Sequence, residues 1–243
     1  MRARVLIAIG GGVLLTVVAG GLGQWQQWRG SAKQALQRQW DAAVAAAPRD
    51  IGSSDLAALA GRLPQRVRLR GTFEPQRLVW LDNRQHEGRP GVRAVMALRL
   101  ADGDCAHVLV DRGWAPRDPR DRARTPALPT PAAEVTVEGM ALERAPRLLD
   151  LGGAPSGEEH LPALWQNLDY ERFERAAGVP VARIVVQQAS ALDDGLVREV
   201  PRFDAGVERH RGYAVQWYAL AVLSAALTAI FGWRAARRDE LPS

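Results

Sequence analysis

The fold of this chain is decided by the segment HRGYAVQWYALAVLSAALTAIFGW, residues 210–233. The 21 residues from Tyr213 to Trp233 carry no charge, and a helix of that length covers roughly 30 Å, the hydrocarbon thickness of a bilayer. Aromatic residues stand at both ends of the segment, as they do at membrane interfaces, and arginines follow it. The segment therefore predicts a transmembrane helix, and His210 stands just before it.

A second uncharged run, 19 residues from Val5 to Gly23, follows two arginines near the N-terminus. It is either a cleaved signal peptide or a membrane anchor. The run is long for a signal peptide, and apolar residues recur beyond it at three- and four-residue steps, starting with Trp25 and Trp28. This continuation favours an anchor that leaves the bilayer and extends as a helical stalk until Pro48.

Between the two runs, apolar residues recur at every second position in short segments, a pattern typical of β-strands. Apolar and basic residues alternate over Val67–Arg70, after which Gly71–Phe73 is interpreted as a strand end. Further strands are predicted at Leu78–Leu81, Val92–Leu100, Ala106–Val110, Val135–Val137 and Ile184–Val186. Turns are predicted at Asp82–Asn83 and Glu87–Gly91, short helices at Leu56–Leu63 and Asp169–Ala177, and a long proline-rich loop at Ala115–Pro131.

These patterns predict an α+β membrane protein in which two transmembrane helices flank one mainly antiparallel, barrel-like β domain with short helices. The predicted parts are a first span (1–24), a domain (25–211) that begins with the helical stalk (25–47), a second span (212–234) and a tail (235–243). Two spans put both termini on one side of the membrane, and the short basic tails indicate the cytoplasm. The domain is therefore expected in the periplasm.

Composition excludes several classes of function. The net charge is +5, yet no block of basic residues of the kind that binds nucleic acid is visible. Cys105 is the only cysteine, so an intrachain disulfide is excluded. Cys105 and His107 would share a strand face as half of a metal site, but a buried thiol beside a histidine is the commoner outcome. Ser156 lacks the context of a nucleophile elbow, and no paired carboxylates stand out, so we expect no enzyme.

His210 allows two interpretations. An imidazole at the end of a span can act as an axial ligand of haem iron, with the macrocycle lying against the helix. His210, Ala214, Trp217 and Ala221 would then share one helix face, where alanines leave room for a flat ring and Trp217 stacks on it. Alternatively, His210 is a polar residue in the headgroup region.

A series of short motifs gives a more specific indication. In chain order they are LGQWQQWR (22–29), GTF (71–73), NR (83–84), GRPG (88–91), VDRGW (110–114), WQNLD (165–169) and HRGYAVQW (210–217). Their order and spacing between two apolar runs resemble the Surfeit locus protein 1 family of cytochrome c oxidase assembly factors. Asp111 and Glu208 depart from the family pattern, which usually has asparagine at both positions.

The resemblance implies a multi-pass inner-membrane protein, with a periplasmic domain, that helps insert haem a into oxidase subunit I by binding it transiently. His210 matches the position of the haem contact and is expected to be the axial iron ligand. Trp217, Arg112 and Arg211 are further expected haem contacts, the two arginines through the propionates. Expected partners are subunit I, the lipid bilayer and the haem a synthesis machinery. The alternative is a membrane-anchored scaffold that binds oxidase subunits without haem.

Overall fold

A computed structural model describes residues 2–103, 106–121, 124–148, 160–199 and 207–239. The helices are α1 (Arg2–Ala45), α2 (Leu56–Ala60), α3 (Tyr170–Ala177) and α4 (Val207–Asp239). The strands are β1 (Arg49–Asp50), β2 (Gln65–His86), β3 (Arg89–Leu100), β4 (His107–Pro116), β5 (Val135–Leu142), β6 (Ala163–Trp165) and β7 (Val185–Gln188). The chain divides into two compact units, a helical one formed by Met1–Trp40 with Phe203–Ser243 and a sheet unit formed by Asp41–Arg202.

The helical unit pairs α1 with α4. Both helices are long and apolar enough to cross a membrane, over Ala3–Ala45 and Gly212–Arg237. Nearly all the exposed large apolar side chains in the described part of the chain lie on these two helices, and Val197 is the exception. Surface of this kind requires a lipid or protein environment. The prediction of two long apolar helices is confirmed, and α1 continues as a helix past Trp28 to Ala45.

The sheet unit begins with a hairpin of β2 and β3. Its two-residue loop is Glu87-Gly88, and both residues have positive φ, as hairpin turns of this length require. The turn predicted at Glu87–Gly91 is confirmed at Glu87-Gly88, whereas residues 89–91 belong to β3. The predicted strand end at Gly71–Phe73 and turn at Asp82–Asn83 are wrong, because β2 continues through both. The pairing with β3 shifts register after Phe73 and again after Leu81, so those signals mark bulges.

The sheet is mixed, and most of its strand pairing is antiparallel, as predicted. In the described residues, β2 pairs antiparallel with β3 and β5, β3 with β4, and β5 with β7. However, β1 and β6 pair parallel with β2, and β7 pairs parallel with β4. Helix α3 connects β6, which pairs with β2, to β7, which pairs with β4. Because β5 contacts both β2 and β7, the pairings of β2, β3, β4, β7 and β5 form a closed ring.

Alternate residues of the central strands pack on opposite faces of the sheet. Trp80, Met96 and Val110 belong to one buried cluster, on the same side as Phe73 and Ile184. Their sequence neighbours Val79, Val95 and Leu109 belong to a second cluster, to which α3 contributes Phe173 and β6 contributes Trp165. Strands buried on both faces explain the nearly continuous apolar runs of β3 and β4.

Helix α3 is positioned by its two ends. The Asp169 carboxylate accepts a hydrogen bond from the Arg172 amide at 2.7 Å, and Gly178 ends the helix in the left-handed conformation at φ 69°. The sequence prediction of this helix is confirmed. Helix α2 is shorter than the predicted Leu56–Leu63, because the chain leaves the helix at Gly61.

Phe173 is the residue of α3 whose removal we expect to weaken the fold most. Its ring is fully buried and meets Trp165 edge-on at 6.4 Å. Phe173→Ala leaves a cavity and should lower the free energy of unfolding by about 3–5 kcal/mol, whereas Phe173→Leu should cost less than about 1.5 kcal/mol. Thermal unfolding of the detergent-solubilised full chain measures both, and equal costs would contradict tight packing of α3.

Candidate functional site

A groove opens between α1 and α4 in the helical unit. Its volume is about 320 Å³, within the range of small-molecule clefts. The lining residues are Gln26, Gln27, Gly30, Ser31 and Gln34 of α1 with Ala214, Val215 and Tyr218 of α4. The groove thus combines apolar α4 residues with amide and hydroxyl groups.

Small residues let the two helices approach beside this groove. On α1, Ala19, Gly23 and Gly30 are buried, and on α4 Ala214 and Ala221 are buried. A Cβ added at Gly23 would lie 2.9 Å from the Tyr218 ring, so glycine makes room for the tyrosine. Such close packing through small residues is typical of paired membrane helices.

Polar groups connect the helices at two levels. The Tyr218 hydroxyl lies 2.9 Å from Gln27 Oε1 and 3.1 Å from Gln24 Oε1. Farther along, the Ser224 hydroxyl donates to the Gly12 carbonyl at 3.0 Å. Hydrogen bonds between apolar helices fix their register, because the alternative is an unsatisfied polar group in an apolar environment.

The predicted haem contacts fall into both units. His210 and Arg211 are helical residues of α4, with His210 one turn before Ala214, which borders the groove. Trp217 is partly buried in the same helix. Both alanines expected to leave room for a flat ring are buried. Ala214 lines the groove, whereas Ala221 does not. Trp25 and Trp28 remain exposed.

Arg112 lies in β4 of the sheet unit and is fully buried. Its guanidinium donates to Asp194 Oδ2 at 2.6 Å, to Thr130 Oγ1 at 2.8 Å and to the Pro129 carbonyl at 3.1 Å. It also lies 4.6 Å from the centre of the Phe73 ring. Arg112 therefore joins β4 to the loop before β5 and to the segment after β7.

The Asp194 carboxylate is stabilised by several donors. Burial opposes its ionisation, but hydrogen bonds from Arg198, the Leu196 amide and Arg112 outweigh this effect and hold the pKa of Asp194 below its ordinary value. Burial also disfavours the charged form of Arg112 and lowers its pKa, while the Asp194 carboxylate opposes that change. The result is a buried, charged pair with additional donors around it, the arrangement in which such pairs persist.

Gly113 and Trp114 also contact the segment that follows β7. Gly113 has φ 139°, and a Cβ there would lie 2.7 Å from the Val197 carbonyl oxygen. Trp114 exchanges two backbone hydrogen bonds of 2.8 Å with Val197, and its indole donates to the Arg84 carbonyl at 2.9 Å. The motif Arg112-Gly113-Trp114 thus holds the chain that leads towards α4.

Asp111 occupies a separate buried site. Burial raises the pKa of its carboxyl group, and Arg93 opposes this by donating to both carboxylate oxygens at 2.8 and 3.0 Å. The Asp111 carboxylate is therefore paired with an arginine on the neighbouring strand, β3.

The other candidate sites receive little support. His107 is buried, with Nε2 3.1 Å from a Glu74 carboxylate oxygen, while Cys105 and Ser156 lie outside the described residues. Across the described ranges, no three His, Cys, Asp or Glu side chains come close enough together to hold a metal ion.

The structure defines an α+β protein with two paired apolar helices and a groove between them. The family model of the SURF1 family matches residues 13–222, which is most of the chain. The chain therefore belongs to the SURF1 family, a family of cytochrome oxidase assembly factors rather than of enzymes. A comparison with individual curated proteins gives no significant match.

Removal of Arg112 should destabilise the sheet unit strongly. Arg112→Ala removes one of the donors to the buried Asp194 carboxylate and leaves it Arg198, so we expect a loss of about 2–4 kcal/mol in the free energy of unfolding. Arg70→Ala, at an exposed position of β2, is the matched control and should change stability by less than about 0.5 kcal/mol. Similar thermal midpoints for both variants would contradict the structural role of Arg112.

Asp194 should contribute to acid sensitivity. Because its folded pKa is depressed, its stabilising effect is present above the unfolded pKa of about 4 and disappears as the pH falls through the folded value. Asp194→Asn should therefore be less stable than the wild type at pH 7, and the difference should shrink below about pH 4. Thermal unfolding of both proteins from pH 7 to pH 2 measures this, and a constant difference would exclude it.

Proposed function

We propose that this protein binds haem a transiently at the groove between α1 and α4 and delivers it to subunit I of a haem-copper oxidase. The observation that supports this most is that the groove begins one helical turn from His210. The SURF1 family is one of oxidase assembly factors, so a haem-binding groove would serve the assembly of its client.

His210 is the proposed axial ligand of the haem iron. A single neutral imidazole binds haem iron but leaves the other axial position open, which suits a cargo that must be released. The groove, at about 320 Å³, lies at the small end of ligand clefts and would cover one part of a macrocycle rather than enclose it. Trp217 and Arg211 are proposed further contacts, by stacking on the ring and by pairing with a propionate.

Arg112 is the weakest member of the proposed haem contacts. Its guanidinium already donates to Asp194, Thr130 and Pro129, so a propionate would have to replace buried partners. If Arg112 acts only on the fold, Arg112→Ala should leave the haem content of each folded molecule unchanged. If it binds a propionate, that content should fall together with stability.

The proposed location is the cell inner membrane, with both termini in the cytoplasm and the sheet unit in the periplasm. Two helices long and apolar enough to cross a bilayer support the anchoring. The closed ring of strand pairings supports the barrel-like form expected of the domain. There the protein would receive haem a from the synthesis machinery and meet subunit I.

Haem binding is tested on full-length protein purified in detergent from cells that make haem a. We expect a Soret absorbance band that His210→Ala reduces to background, because the iron ligand is lost. His160→Ala, at an exposed histidine of the sheet unit, is the matched control and should retain the band.

The alternative, a scaffold that binds oxidase subunits without haem, predicts a different result. The wild-type protein would then lack the Soret band and still co-purify with oxidase subunits. That outcome, or an undiminished band in His210→Ala, would overturn the carrier proposal.

A further inference from the structure

The contact between Tyr218 and two glutamines of α1 has a consequence for which haem the groove accepts. A tyrosine hydroxyl has one hydrogen to donate, yet the Tyr218 hydroxyl lies within hydrogen-bond distance of both Gln27 and Gln24. It donates to Gln27 Oε1, the nearer oxygen at 2.9 Å. Rotation of the Gln24 amide then lets Gln24 Nε2 donate to the hydroxyl oxygen, which satisfies all three groups.

This arrangement orients the Gln27 amide. With its oxygen engaged by Tyr218, the opposite end of the amide, Nε2 with its two hydrogens, remains as a donor on a residue that lines the groove. The hydroxyl of Tyr218 and the glycine at position 23, which makes room for its ring, hold this geometry from the other helix.

The chemistry of the lining selects the kind of group that Gln27 can bind. Among the described residues that line the groove, none is charged, and the polar groups are amides and hydroxyls. Such a surface suits a neutral hydrogen-bond acceptor better than a carboxylate, which would be desolvated without a cation. A propionate is therefore a poor partner for Gln27, and a carbonyl group is a good one.

Tyr218 lies two helical turns beyond His210, about 12 Å along α4. A macrocycle that is coordinated near His210 and lies along the helix would present a peripheral substituent, rather than its iron, at this level of the groove. The peripheral carbonyl of haem a is its formyl group.

We propose that Gln27 Nε2 donates a hydrogen bond to the formyl oxygen of haem a, so that the groove selects haem a over haem o, which has a methyl group at that position. This inference rests on the proposed haem-binding function and adds to it the selectivity of the groove between haem a and haem o. Haem o is the appropriate comparison, because it differs from haem a only at this substituent.

The test is a Soret titration of the full-length apoprotein in detergent with purified haem a and purified haem o. The wild type should bind haem a about fivefold more tightly, the net effect of one ordinary hydrogen bond. Gln27→Leu should weaken haem a binding to the level of haem o and leave haem o binding unchanged. The formyl C=O stretching frequency, measured by resonance Raman spectroscopy, should be lower in the wild type than in Gln27→Leu.

Gln39→Leu is the matched control, since Gln39 is an exposed glutamine of the same helix that does not line the groove. It should retain both the preference and the formyl frequency of the wild type, whereas Tyr218→Phe should reduce the preference. Equal affinities of the wild type for both haems, or equal effects of Gln27→Leu on both, would overturn this proposal while leaving the carrier function intact. If the wild type binds neither haem, the proposed function itself fails, and this inference fails with it.

Discussion

The exposed apolar surface of α1 and α4 is the constraint on which the rest of the structure depends. Side chains such as Ile7, Val222 and Leu227 are more than half exposed, and contact between water and a continuous apolar surface of this kind is unfavourable. The two helices therefore require lipid or a protein partner, while the sheet unit must bury its own core. It does so on both faces of one ring of paired strands, with Phe173 of α3 buried on the second face.

The paired helices and the sheet unit use polar groups in different ways. Between the helices, neutral hydroxyls and amides make a few interhelical hydrogen bonds and border an open groove whose described lining carries no charge. In the sheet unit, Arg112 and Asp194 form a fully buried ion pair surrounded by further donors. Such a pair is costly to break, and it specifies one position for the segment that follows β7. The described lining of the groove is thus uncharged, whereas the sheet unit holds a buried ion pair.

The elements with strong local signals were predictable from sequence. Uncharged runs indicate the two long helices, Asp169 and Gly178 bracket α3, and Glu87-Gly88 indicates the hairpin. Strand lengths were not predictable, because the residues that suggested ends at Gly71–Phe73 and Asp82–Asn83 occur at or beside bulges, and a bulge differs from a turn only in what the neighbouring strand does. The parallel pairings were not predicted either, because a strand's own sequence does not show which strand lies beside it.

The sequence by itself determined that two apolar helices flank one α+β domain in the chain. Its ordered motifs also indicated the SURF1 family, to which the chain belongs. It also placed His210 at the start of the last helix. Only the tertiary structure decided that Arg112 pairs with Asp194, that Gln27 meets Tyr218, and that a groove lies next to Ala214. Each of these contacts joins residues far apart in the chain. No local pattern encodes them, because a side chain's partner across such a distance is chosen by the packing of whole elements.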